Sequence, residues 1–122
     1  MTLHRILLAG HVPTKKNGKR AWAGRVVIDP AVRGHIDALV YQARGIWRAR
    51  PPIEKARMIR AIFGVRDGRG DLDGKWTTLL DCLVRARVIR NDSIARLPRH
   101  ITEARIINPG NEEWVEVRIW QE

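Results

Sequence analysis

Residues 114–120 read Trp-Val-Glu-Val-Arg-Ile-Trp. In an extended chain, Val115, Val117 and Ile119 point one way, while Trp114, Glu116, Arg118 and Trp120 point the other. A strand with this alternation wants an apolar layer on one side only. It therefore favours a sheet that carries its helices on one face. The two tryptophans on the opposite side mark either a second layer or a dimer contact.

The remaining segments fit that frame. Residues 2–9 form a Leu- and Ile-rich strand, and residues 25–30 a short one closed by Pro30. Between them, the basic stretch with Pro13 and the Asn17-Gly18 pair is expected to be a loop. Val32, Ile36, Leu39, Val40, Ala43 and either Ile46 or Trp47 recur at helical spacing over 31–48, and Pro51 and Pro52 end that helix. Residues 55–65 alternate as a strand, with Met58, Arg60 and Ile62 on one side and Ile59, Ala61 and Phe63 on the other. Trp76, Leu79, Leu80, Leu83 and Val84 predict a second helix over 74–87. Residues 101–120 read as two strands around an Asn-Pro-Gly turn. The order β, β, α, β, α, β, β gives an α+β fold: a mixed, mostly antiparallel sheet with two helices. At 122 residues the chain is one domain, 1–122.

Composition narrows the function. The chain has 23 Lys and Arg against 13 Asp and Glu, a net charge of +10. Such a surplus points to a polyanion, most often nucleic acid. No basic amphipathic helix favours a membrane surface instead. Cys82 is the only cysteine, so neither an internal disulfide nor a Cys-based zinc site can form, and it reads as a small core hydrophobe. The N-terminal apolar run is too short for a signal peptide or a membrane span, and a reducing cytoplasmic location is expected.

Within this basic chain, Asp71 and Asp73 stand one residue apart before the second helix. In extended backbone their side chains would share a direction and converge on one hard cation. Mg²⁺, or Mn²⁺, accepts such oxygen ligands together with waters and phosphates. Alternatively, one aspartate caps the helix, with Asp73 at the N-cap position, and the other closes an Asx-turn, with no metal. Lys15, Lys16, Asn17, Lys19 and Arg20 crowd the N-terminal loop, and Arg66 and Arg69 flank the acids. These are the candidate phosphate contacts. Trp22 could stack on an unpaired base, whereas Trp47 and Trp76 read as core.

The stretch Gly-Asp-Leu-Asp-Gly-Lys-Trp-Thr-Thr-Leu-Leu-Asp-Cys-Leu-Val-Arg-Ala-Arg-Val-Ile-Arg-Asn-Asp-Ser, residues 70–93, resembles the RusA family of Holliday-junction resolvases, which are found in bacteria and phages. The basic, Asn-containing turn after Pro13 resembles that family too. The resemblance implies a homodimeric, Mg²⁺-dependent endodeoxyribonuclease without a small-molecule cofactor. Such an enzyme binds four-way DNA junctions and resolves them by paired symmetric nicks in recombination and repair. Asp71, Asp73 and Asp92 would be the metal-binding catalytic acids, Asp81 and Lys75 supporting residues. The chain departs from the family at two positions: Gly74 replaces an asparagine and Thr77 replaces the catalytic lysine. The nearest lysine, Lys75, would point away from where Thr77 points, and Lys15 or Lys16 could supply the charge instead. A further difficulty is reach. A helix over 74–87 carries the chain roughly 20 Å from Asp73, and residues 88–92 span at most about 17 Å. Asp92 then joins the pair only through a shorter helix and a loop folding straight back, or from a dimer partner. A branched-DNA-binding protein without cleavage and an RNA-directed protein are the competing readings. The chain lacks the aromatic sheet motif of the common RNA-recognition domain.

Overall fold

The computed structural model describes residues 1–14, 19–22, 25–68, 70–93 and 99–121; for 19–22 and 25–28 it describes the backbone alone. The elements run β1 (Thr2–Ala9), β2 (Lys19–Trp22), β3 (Arg25–Ile28), α1 (Pro30–Trp47), β4 (Ala56–Val65), α2 (Leu72–Arg85), β5 (His100–Ile106) and β6 (Trp114–Gln121). The main sheet has the order β1-β6-β4-β5. β6 is antiparallel to both β1 and β4, whereas β5 lies parallel to β4. This is the expected α+β class, a mixed and mostly antiparallel sheet with two helices. No helix among the described residues is long and apolar enough to cross a membrane.

The alternation in β6 holds throughout. Val115, Val117 and Ile119 are fully buried, opposite Phe63, Ala61 and Ile59 of β4 and Leu8, Ile6 and His4 of β1. They join one core with Ile36, Leu39, Ala43 and Trp47 of α1 and Trp76, Leu79 and Leu83 of α2. α1 therefore buries Trp47, not Ile46. Asp29 caps α1 by accepting from Ala31 N at 2.9 Å, and Pro30 at the first helical position gives up no needed hydrogen bond. Cys82 is buried, as a small hydrophobe should be.

Two expectations are corrected. The stretch between the first strands is not all loop, since Lys19–Trp22 pairs with Arg25–Ile28 as a two-stranded sheet. Val26, Val27 and Ile28 are β-branched and supply a pairing edge that basic neighbours do not prevent. Nor do the last two strands form a hairpin. β5 and β6 lie on opposite sides of β4, and the segment between them crosses the end of that strand, where Ile107 N donates to Val65 O at 2.8 Å. β6 has the fully buried stripe and takes a central position. The mostly exposed β5 takes an edge.

The second face of the sheet has no helix among the described residues. Its own side chains cover it. Arg5 and Arg118 flank Glu116, at 2.6 and 3.3 Å, and Arg60 pairs with Glu103. The Trp114 indole lies over Gly64, where a Cβ would collide with it. Ile62, 1% exposed, is buried on this side, apart from the main core. At the free edge of β1, the Gln42 side chain accepts from Ala9 N at 2.8 Å and donates to Ala9 O at 2.7 Å.

Gly64→Ala should force the Trp114 ring off the sheet. The expected cost is about 1–3 kcal/mol, the usual penalty for overpacking, read by urea denaturation, with altered tryptophan emission in the native state. A stability equal to wild type would mean that the ring does not hold that position.

Candidate active site

β4 ends at Val65, and the chain turns through Gly70, whose φ of +97° suits glycine. Asp71 follows in extended conformation and caps α2, its carboxylate accepting from Asp73 N at 3.2 Å. The helix therefore starts at Leu72 rather than 74, and Asp71 rather than Asp73 is the N-cap. Asp73 sits in the first turn. The pair is not carried on a strand, as the shared direction of extended residues would require. Both carboxylates are exposed at a helix N-terminus, where backbone N–H groups and the helix dipole favour negative charge. A group with only carboxylate donors, open to water, suits a hard cation such as Mg²⁺.

Gly74 explains itself. A Cβ there would come within 3.0 Å of Thr14 Cβ, so the segment before the basic stretch packs against the first turn of α2. An asparagine would not fit without displacing it.

Lys75 faces inward. It is 6% exposed, and its Nζ donates to Val12 O at 2.6 Å. Its stem borders a cavity of about 350 Å³, also lined by His11, Thr14, Arg66, Asp67 and Glu113. Burial pushes the Lys75 amine below its ordinary pKa, and the charges of Glu113 and Asp67 oppose that in part. Glu113 is the hub of this cavity. It accepts from His11 Nδ1 at 2.6 Å and from Arg66 N at 2.8 Å. Burial is the largest single influence on its carboxyl and acts upward. Hydrogen bonds from Arg66 and His11, together with the charges of His11 and Lys75, outweigh it and hold the pKa below the ordinary value. Neither His11 nor Glu113 is among the candidate site residues read from the sequence. Neither has a local motif, because the two meet only when β1 and β6 pair.

The other predicted residues are dispersed. Thr77 is exposed, and its hydroxyl donates to Asp73 O at 3.0 Å. Asp81 is half-buried and partnered, roughly 15 Å along the helix from Asp71. Arg66 keeps its guanidinium on Asn111 O, 2.8 Å away. α2 runs back along β4, and the chain after it pairs with the segment before β4: Arg90 N donates to Ile53 O at 3.1 Å. Asp92 thus lies at the Ile53 end of the sheet, while Asp71 lies at the Val65 end. The full-length helix rules out the compact loop that would have joined them. Among the described residues, no three His, Cys, Asp or Glu side chains gather as a metal-binding group. Lys15, Lys16, Asn17 and Arg69 lie outside the described residues, as do the side chains of Lys19, Arg20 and Trp22.

No protein-family model matches the sequence, and no curated protein matches it.

Stability rises with pH wherever the unfolded chain holds more protons than the native one. Lys75, depressed by burial, sheds its proton earlier when folded. Its contribution should grow as pH climbs through the interval just below the ordinary lysine value. Glu113 acts at the other end: its stabilisation is present above the ordinary carboxylate range and is lost as pH falls through its depressed value. Comparing urea denaturation of wild type and Lys75→Met across pH isolates the first effect. Wild type should gain on the variant as pH rises from neutral. Parallel curves would mean that Lys75 is solvated.

Proposed function

We propose that the protein is a metal-dependent, structure-selective endodeoxyribonuclease acting on branched DNA, a Holliday-junction resolvase similar to the RusA family. The observation that carries this reading is the contact of Thr14 with Gly74. The lysine-rich stretch begins at the next residue, one Cα step of about 3.8 Å away. Thr14, the last described residue before the basic stretch, therefore stands close to two exposed carboxylates at a helix N-terminus. A phosphodiester drawn in by the basic segment would meet Asp71 and Asp73 directly.

Each residue then has a stated task. Asp71 and Asp73 offer oxygen ligands, and Mg²⁺ bound there would supply Lewis acidity and a more acidic water. The helix N-terminus favours the phosphate through its N–H groups. Lys75 is tied inward to Val12 O, so charge on the reacting phosphate is offset from the basic stretch, by Lys15 or Lys16. Asp92, at the opposite end of the sheet from Asp71 in its own subunit, contributes to catalysis only from a second subunit. This reading therefore entails a homodimer with shared sites.

A second reading has an observation in its favour. Thr77 stands where the family has its lysine, and its hydroxyl is committed to Asp73 O. A chain of this fold would then grip branched DNA without cutting it.

Asp71→Asn tests the first reading cleanly, because asparagine caps a helix as well as aspartate does. Cleavage of a synthetic four-way junction in Mg²⁺ should fall roughly a hundredfold or more, the scale of losing one preorganised electrostatic group. Junction binding should persist or tighten as negative charge is removed. Wild-type cleavage by this variant would remove Asp71 from the site. Tight binding by the wild-type chain without nicks in any divalent cation would select the second reading.

Mixing Asp71→Asn with Asp92→Asn subunits probes the shared site. In a mixed dimer one site regains both native carboxylates, so single nicks should return to the junction. Their absence, with mixed dimers demonstrated by mass spectrometry, would mean that Asp92 plays no part from the partner.

A further inference from the structure

The sheet face opposite the helices has a concave feature at the end away from Asp71. It is a cavity of about 280 Å³ lined by Met1, Arg57, Met58, Arg99 and Trp120. Its floor is apolar and aromatic, and its charged groups are two guanidiniums. Among the described residues no carboxylate lines it, in contrast to the rest of this face, where arginines are neutralised by Glu116 and Glu103. Among the described residues neither Arg57 nor Arg99 meets a carboxylate. The polar contact shown for Arg57 is to Met1 Sδ, at 3.8 Å.

A break in the strand builds this cavity. Ala56 pairs with Gln121 and Met58 with Trp120, leaving Arg57 as an extra residue in β4. Ala56 is fully buried in the core on the helix side, whereas Met58 lines the cavity on the other. Regular alternation would put residues 56 and 58 on the same side. The bulge at Arg57 switches the register of faces and brings its guanidinium to the cavity, as bulges do where a side chain must be re-aimed. Arg99 comes from the segment entering β5, held where Ile59 N donates to Arg99 O at 3.1 Å.

We infer that this cavity holds one unpaired nucleotide of a DNA strand, with its base against Trp120 and Met58 and its phosphate between Arg57 and Arg99. The inference rests on the DNA reading above and adds to it a site for a strand leaving a branch point. An aromatic surface beside unpaired cations is what binds single strands regardless of sequence, because every base has a face to stack and a phosphate to neutralise. A duplex hides the base and does not fit.

The test is photo-crosslinking of a short bromodeoxyuridine-containing single strand to the full chain without divalent cation, mapped by mass spectrometry. The expected crosslink is at Trp120. Arg57→Ala combined with Arg99→Ala should weaken single-strand binding about tenfold and shrink the slope of log affinity against log salt by about 0.7 per lost phosphate contact. Trp120→Phe should retain affinity, and Trp120→Leu should lose it about tenfold. The inference is overturned if crosslinks avoid Trp120, if the double variant binds as wild type with native circular dichroism, or if duplex of equal length or free thymidine monophosphate competes as well as the strand. Capture needs neither metal nor Asp71. A chain that captures without cutting refutes the nuclease reading alone, and one that cuts without capture at Trp120 refutes the pocket alone.

Discussion

Val115, Val117 and Ile119 reach zero exposure because β6 lies between β1 and β4 with both helices on its apolar side. Burying three aliphatic side chains there is favourable by several kcal/mol in area terms, and the register cannot slip without exposing all of them. The rest of the architecture follows. Once those three residues face the helices, Trp114, Glu116, Arg118 and Trp120 must face away. Their neighbours Arg5, Arg60 and Ile62 are committed to the same side by the pairing. The molecule thus has a helical face that holds it together and a sheet face free to carry charge and aromatic surface.

Electrostatics divide along the sheet in the same way. At one end, aspartates and Glu113 are set into a basic chain, and Lys75 and His11 share the cavity with that glutamate. At the other end, the cavity beside Trp120 is lined by Arg57 and Arg99 and, among the described residues, by no acid. A backbone as highly charged as DNA would experience these ends differently: one sets carboxylates against it, the other offers guanidiniums to its phosphates. The two ends are joined by strands of seven to ten residues, so a single strand crossing the sheet face would span both.

Local signals made much of this legible. The apolar periodicities of α1 and α2, the prolines after α1 and the alternation in β4 and β6 were all readable, since each reflects burial of one face. The faces assigned to Met58, Arg60 and Ile62 were right for that reason. What escaped depended on partners distant in sequence. The Asn-Pro-Gly turn suggested a hairpin, but a turn dictates reversal and not adjacency, and β4 offered β5 and β6 an edge each. Of the two aspartates, Asp73 looked like the cap and Asp71 proved to be it, because the helix begins at Leu72, two positions earlier than the apolar stripe implied. Lys75 was read as pointing away from where Thr77 points, and it does, towards a cavity lined from the segments after β1 and β4, from α1 and from the residue before β6. Glu113 carried no signal at all. Its role arises from the pairing of Ala9 with Trp114, which brings the residues just beyond those strand ends side by side.

Gln42 has a further consequence. Its amide makes both hydrogen bonds that an adjacent strand would make to Ala9. Among the described residues β1 is otherwise an open edge, and its own Leu3 and Leu7 are exposed. Exposed edges of this kind recruit other chains into continuous sheets. A side chain posing as the next strand for one rung stops such growth at that point. Any chain zipping onto this edge must therefore start before Ala9, and it would meet the charge of Arg5 in the middle of its path. The helix that packs the core is also, through one residue, a stopper against fibre growth.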